Sequence, residues 1–355
     1  MRTKLNPCEN RLNKLLPHAF ILFVAALASA QEPAPLTLIQ TIEMSEVPLG
    51  PYTDHLAVDV KGHRLFVTPQ ARKSVQVFDF NTGKLLQNIG GFENPHSVLY
   101  REDIDQVYVT DGGAGLLKIF SGRDYRLMKS VKLLPDADSI GYDPATKYLY
   151  VTNGGQGAKL DYSLLSVVDT TKGELVGDVK VSAGSLEAMA VEASSPKIYI
   201  DITDKNQVAV IDRQKRAVLE TWPVTKGRKN IAIALDEAHH RLFVGCRNTE
   251  TTGVIVVFDT QTGKEIEALP IAGWVDYMAY DPATGRVYAS CGSPVANGGH
   301  LYVYHLDTAG QYKLLAKVPT APRAKTALFV PEINRIYVSV PHYEKEARVL
   351  VYQVH

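Results

Sequence analysis

The chain has 355 residues, 45% of them hydrophobic, and carries 38 Lys and Arg against 38 Asp and Glu. This is the composition of a soluble globular protein. Balanced charge excludes the concentrated basic face that nucleic acid requires and the polybasic contact of a peripheral membrane protein.

Residues 1–30 read as a secretory signal. Arg2, Lys4, Arg11 and Lys14 give it a basic start, Ala19 to Ala28 an apolar core, and Ala28-Ser29-Ala30 an A-x-A cleavage site. The apolar stretch is too short to span a bilayer, and no later segment reaches the ~20 apolar residues of a transmembrane helix. An uncleaved anchor is the alternative. No lipobox cysteine follows the apolar run, because Cys8 precedes it. Cleavage removes four basic residues and one acid, Glu9, leaving 34 basic and 37 acidic residues and a net charge of −3. The mature chain, Gln31 to His355, is expected in the periplasm or outside the cell, monomeric and without a transmembrane segment.

One tetrapeptide then returns seven times. Leu65-Phe66-Val67-Thr68, Val107-Tyr108-Val109-Thr110, Leu149-Tyr150-Val151-Thr152 and Ile198-Tyr199-Ile200-Asp201 open the series. Leu242-Phe243-Val244-Gly245, Val287-Tyr288-Ala289-Ser290 and Ile336-Tyr337-Val338-Ser339 complete it. The aromatic residues lie 42, 42, 49, 44, 45 and 49 residues apart. A period in that range, on β-branched and aromatic strands, is the signature of propeller blades. The expected fold is all-β: a single seven-bladed β-propeller of four-stranded antiparallel blades over residues 31–355.

The third repeat shows the expected blade. Ser139 to Tyr142 form the innermost strand, Asp143-Pro144-Ala145-Thr146 the turn, Tyr148 to Thr152 the second strand and Leu164 to Asp169 the third, with the outer strand after Gly173. Gly83, Gly173 and Gly263 supply the left-handed residue of the turns between third and fourth strands. The last repeat ends at its third strand, Val349 to Tyr352, and Leu36 to Gln40 has no inner strand of its own. Pairing the two closes the seventh blade and removes exposed sheet edges.

Familiar motifs are absent. The Gly-Lys pairs lack the spacing of a phosphate loop, and Gly112-Gly113-Ala114-Gly115 and Gly154-Gly155-Gln156-Gly157 join strands rather than a strand and a helix. His96-Ser97 lacks the positioned base, orienting acid and oxyanion donors of a serine nucleophile. Cys246 and Cys291, the only cysteines after cleavage, occupy equivalent points in neighbouring repeats. Such points are usually too far apart for a disulfide, so two buried thiols are expected.

The repeats resemble the bacterial YVTN-repeat β-propellers, the YncE-like family. Val109-Thr110, Val151-Thr152-Asn153, Asp259-Thr260-Gln261-Thr262-Gly263-Lys264 and Asp281-Pro282-Ala283-Thr284-Gly285-Arg286 carry the likeness, which covers Gln31 to His355. The resemblance implies the propeller fold but no single reaction. Related propellers include calcium-dependent lactonases and amine-oxidising quinoprotein subunits; the tryptophan docking motifs of quinoprotein alcohol dehydrogenases and the paired-cysteine haem or quinone-crosslink signatures are lacking here.

Aligning the repeats exposes one ring. Asp54, His96, Asp138, Glu187, Ile231, Asp276 and Lys325 start the inner strands and should face one another at one end of the channel. His55, Asn230 and Tyr277 adjoin them, and Arg323 enters from a connecting loop beside Arg228 and Lys229. Asp111, Asn153, Asp201, Arg247, Asn248, His342 and Tyr343 should reach the same face. Convergent polar groups in a concave place make a ligand site. Crowded carboxylates need compensation, and calcium, which takes 6–8 oxygen ligands, fits with Asp54, Glu187, Asn230 and Asp276 as ligands. The competing reading is a structural ring that caps backbone N–H groups. His63-Arg64 and His239-His240-Arg241 should lie on the opposite face as turn residues, and Asp143 and Asp281 should make Asx turns.

Two functions compete. The first is an exported, non-catalytic scaffold that holds a small molecule, metal or protein partner at the channel mouth. The second is a calcium-dependent hydrolase of lactonase type, with His96 or Glu187 as base and Lys325 or Arg323 as oxyanion partner.

Overall fold

The computed structural model describes residues 1–3, 34–50, 52–307 and 310–355, so the expected signal lies almost wholly outside the described residues. The unit from Ala34 to His355 folds as seven four-stranded antiparallel sheets, a seven-bladed β-propeller. Blade 3 runs Ile140–Asp143, Tyr148–Gly154, Ser163–Asp169 and Glu174–Val181. Each strand falls within two residues of its expected place. No helix among the described residues is long and apolar enough to cross a membrane.

Burial peaks in the second and third strands, is partial in the channel-lining inner strands and lowest in the outer ones, and the sequence follows it. Second strands are buried on both faces, as in Gln106–Asp111, so they read as unbroken Val, Ile, Leu and aromatic runs. Outer strands such as Lys264–Ala272 alternate exposed and half-buried residues over most of their length. The seven repeat aromatics are at most 1% exposed. The core itself is a set of seven apolar clusters, one between each pair of neighbouring blades.

The turns carry their own determinants. Gly83, Gly173 and Gly263 adopt φ of 73°, 64° and 67°, which an L side chain resists. The preceding Asp79, Asp169 and Asp259 accept the turn's N–H groups at 2.9–3.3 Å. Asp143 and Asp281 make the expected Asx contacts, accepting the Ala145 and Ala283 N–H at 2.9 and 3.0 Å. His239 lies in a turn as expected and pairs through Nδ1 with Asp236 at 2.8 Å, whereas Arg64 opens the strand Arg64–Val67 and is held by Asp59 at 2.7 Å rather than solvated.

Every outer strand also contains a bulge at the same point, one extra residue against the third strand, for example Leu86, Met128 and Ile39. Bulges twist an edge strand away from foreign strands, and the sequence pattern had not indicated them. Cys246 and Cys291 are free and fully buried.

Closure is as anticipated. Leu36–Glu43 pairs antiparallel with Arg348–Val354, Leu36 against Val354 and Ile42 against Val349, as the outer strand of blade 7. Ile42, 1% exposed, sits in the cluster that joins blades 7 and 1. Deleting 36–42 should therefore lower the melting temperature sharply, and Ile42→Ala alone should cost about 2–5 kcal/mol. Calorimetry checks both; an unchanged melting curve for the deletion would contradict a stabilising clasp.

Candidate functional site

Hydroxyls of the repeat place the mouth. Thr68 Oγ1 donates to the carbonyl of His96 in the next blade at 2.9 Å, and Thr110 Oγ1 to that of Asp138 at 2.8 Å. Ser290 does the same for Ala324, beside Lys325, at 3.2 Å. Thr326 closes the circle by bonding Thr53 O, beside Asp54, at 3.1 Å. The fourth letter of the tetrapeptide thus pins the start of the neighbouring inner strand in these blades.

All seven ring positions line one cavity of about 270 Å³, together with Tyr52, His55, Gln70 and Arg247. It adjoins a channel of about 290 Å³ whose wall includes Leu56, Val98, Ile140, Met189, Ile233, Met278 and Leu328, one apolar residue from each blade. A charged mouth therefore rests on a hydrocarbon floor. That floor raises the cost of ionising whatever stands above it.

The ring sorts its charges into pairs. Asp54 Oδ2 lies 2.9 Å from His96 Nδ1 and accepts from Gln70 Nε2 at 2.9 Å, and His55 Nε2 stands 3.4 Å from Oδ1. Although burial opposes it, His55 and His96 hold Asp54 well below the usual carboxylate range. Burial also disfavours the His96 imidazolium, yet Asp138 and Asp54 raise it to about 10. Asp138 Oδ1 is 3.7 Å from His96 Nδ1, and burial pushes this carboxyl well above its ordinary value. Asp54 thus carries the charge that faces the imidazolium, and Asp138 leans toward the neutral acid. Across the cavity, Arg247 and Lys325 both bind Asp276. Burial opposes its ionisation, but the two cations keep it below its ordinary value.

Glu187 stands between these halves. Burial raises it to about 7, opposed by a 2.8 Å hydrogen bond from Ser185 Oγ and reinforced by Asp276.

Gly112 gives His96 its seat. A Cβ at that position would come within 2.9 Å of the ring's Cδ2. The glycine run that suggested a nucleotide loop thus serves close packing.

Some expected site residues stand elsewhere. Asn230 is fully buried and donates to Asp201 Oδ1 at 2.6 Å and to Gln207 O at 2.8 Å. It therefore does not join Asp54, Glu187 and Asp276 in the expected calcium set. Asp276 is already held by two cations. The donors that do converge are Asp54, His96 and Asp138, within 4.8 Å of one another. Tyr277 Oη accepts the Phe329 N–H at 2.7 Å, below the mouth. His96, an imidazolium at neutral pH, is the wrong species for a general base. Arg323, two residues before Lys325, is not among the residues that line the cavity.

The capping role expected of the ring falls to other polar residues. Asp111 accepts the Glu93 and Asn94 N–H groups while bound to Lys118 at 2.7 Å, and Asn153 accepts the Leu134 N–H at 3.1 Å. Gln70 was not anticipated, since it follows a proline in a loop and carries no charge.

A glutamate protonated in the fold but ionised when unfolded lowers stability as pH rises through the interval between its two values. For Glu187 that interval runs from its ordinary 4.5 to about 7, each unit being about 1.4 kcal/mol. Glu187→Gln should therefore gain stability relative to the parent as pH increases from 5 to 7, read by urea midpoints. Equal slopes in the two proteins would refute the shift.

No family model matches the chain, and no curated protein matches it in sequence. Solved structures do match. A chain of hydrazine synthase from Kuenenia stuttgartiensis has a TM-score of 0.69 at 17% identity, covering 84% of this chain and 95% of its own. A chain from the crystal structure of a mitotic checkpoint complex has a TM-score of 0.73 at 12% identity, covering 99% and 100%. At such identities these likenesses establish the seven-bladed propeller and leave function to the site.

Proposed function

We propose that this is an exported, non-catalytic propeller of the YVTN-repeat kind that binds a small polar ligand in the mouth of its channel. One observation carries the reading: seven residues from seven blades meet in a single cavity, charged above and apolar below. Ligand sites combine an apolar enclosure with a few fixed polar groups in this way. At about 270 Å³ the cavity lies below the ~300–1,000 Å³ typical of drug-sized ligands, which favours a small metabolite over a peptide. Its two halves differ, with Asp54 paired to His96 beside the largely neutral Asp138 and Glu187 on one side, and one carboxylate, Asp276, against two cations, Arg247 and Lys325, on the other. Unequal charge across the cavity orients a ligand as well as holding it.

A metal is the second reading, and the convergence of Asp54, His96 and Asp138 supports it. Mixed nitrogen and oxygen donors suit a transition ion better than calcium. A bound ion would polarise a carbonyl or acidify water there, with Glu187 as the available base.

Thermal shift against amino acids, sugars, dicarboxylates, Zn²⁺ and Ca²⁺ separates the readings. A ligand at a hundred times its Kd adds ~2.7 kcal/mol, a rise of a few degrees. Lys325→Met and Asp54→Asn should abolish a metabolite's shift, whereas a metal's shift should survive Lys325→Met. Lactone turnover that requires Ca²⁺ and Glu187 would replace the scaffold reading with the hydrolase. Export predicts a mature amino terminus at Gln31, and mass spectrometry finding residues 1–30 intact on the exported protein would refute cleavage.

A further inference from the structure

We infer that the loops next to the mouth recognise a small oxyanion, a carboxylate or phosphate group, through the guanidinium of Arg323, two residues before the cavity-lining Lys325 and packed on Trp274 and Tyr343. This rests on the reading that the mouth is the binding site and adds the chemical class of what it binds.

Arg323 differs from the arginines held in ion pairs. Arg64, Arg101, Arg213, Arg241 and Arg247 each pair with a carboxylate. The Arg323 side chain makes no ion pair and no hydrogen bond among the described residues, and its Nε is buried without a partner. Its guanidinium carbon lies 4.2 Å from the ring centroid of Tyr343 and 5.0 Å from that of Trp274. Aromatic faces attract a guanidinium by cation–π contact. Ring contact leaves the hydrogen-bonding capacity of the guanidinium unspent, and its planar N–H fork can take a carboxylate or phosphate in two parallel hydrogen bonds. A buried donor left unpaired is unfavourable, so an acceptor at that edge would relieve the site.

The supports of Arg323 are themselves fixed. Arg323 and Trp274 adopt left-handed φ of 64° and 62°, conformations unfavourable for such side chains and held only by surrounding structure. Gly292 joins the two loops, its N–H donating to Trp274 O at 3.1 Å and its carbonyl accepting the Arg323 N–H at 3.0 Å. Trp274 Nε1 donates to Glu250 at 2.7 Å, which sets the plane of the indole. Preorganisation of this kind lowers the ordering cost of binding.

Charge points the same way. Asp276 is shared by Arg247 and Lys325, so one carboxylate faces two cations, and Arg323 adds a third nearby. Lys325 Nζ also lies 5.3 Å from the ring of the exposed Tyr52. An incoming oxyanion would supply the missing negative charge on this side.

Trp274 provides the readout. The only other tryptophan, Trp222, is 5% exposed and packed between Tyr199 and Phe258. The mature protein is titrated with sodium phosphate, sodium acetate and, at matched ionic strength, sodium chloride. A saturable change in emission with phosphate or acetate beyond that of chloride is expected, and the anion that saturates first identifies the group. Arg323→Gln should weaken it tenfold or more, Arg323→Lys should weaken it through loss of the planar fork, and Tyr343→Phe should retain it, with melting curves confirming that each variant folds. The inference is overturned if neither anion exceeds chloride or if Arg323→Gln responds like the parent. A putrescine arm tells the two readings apart. Stabilisation by this dication that is lost in Glu187→Gln, without any anion response, would leave the mouth as the site and sink the oxyanion. Silence toward all probes would sink both.

Discussion

Contact between neighbouring blades is the constraint on which the rest depends. A four-stranded sheet here cannot bury both faces alone, so each apolar cluster is made jointly by two blades. Stability is then a property of the closed ring. The strand Leu36–Glu43 matters because it completes blade 7 and contributes Ile42 to the junction with blade 1. The hydroxyls of Thr68, Thr110 and Ser290 add a polar stitch at each of their junctions. The same stitch that joins blades fixes the backbone carrying the ring residues.

Tight closure shapes the chemistry of the mouth. Four carboxylates at the inner-strand starts suggest an acidic ring when counted from the sequence. Burial above an aliphatic floor changes that count, since it disfavours the charged forms of Asp138 and Glu187. Asp54 and Asp276 stay ionised because His96, Arg247 and Lys325 stand against them. The result is a cavity with one nearly neutral half and one with an excess cation, in place of a uniformly negative ring. A divalent cation bound by oxygen alone suits it less well than a ligand with polar groups at two ends.

The seven ring positions were legible because a repeat turns equivalence in sequence into convergence in space, and all seven line the cavity. Asn230 shows the limit of that logic. Adjacent to the ring in sequence, it points away to Asp201, because neighbouring strand residues face opposite sides. Gln70 and Trp274 were not legible, for they act through a loop and a left-handed backbone that no periodicity marks. Asp111 and Asn153 were read as mouth residues and prove to cap loops, which the unpaired N–H groups at strand starts require.

The sequence by itself determined the number of blades, their four-stranded plan, the turns and the clasp, because each depends on local patterning repeated at a fixed period. Tertiary structure alone decided which carboxylates keep their charge, which cations meet them and that Arg323 stands against two aromatic rings without a partner. Those outcomes depend on distances and burial between residues remote in the chain. Residue type does not encode either.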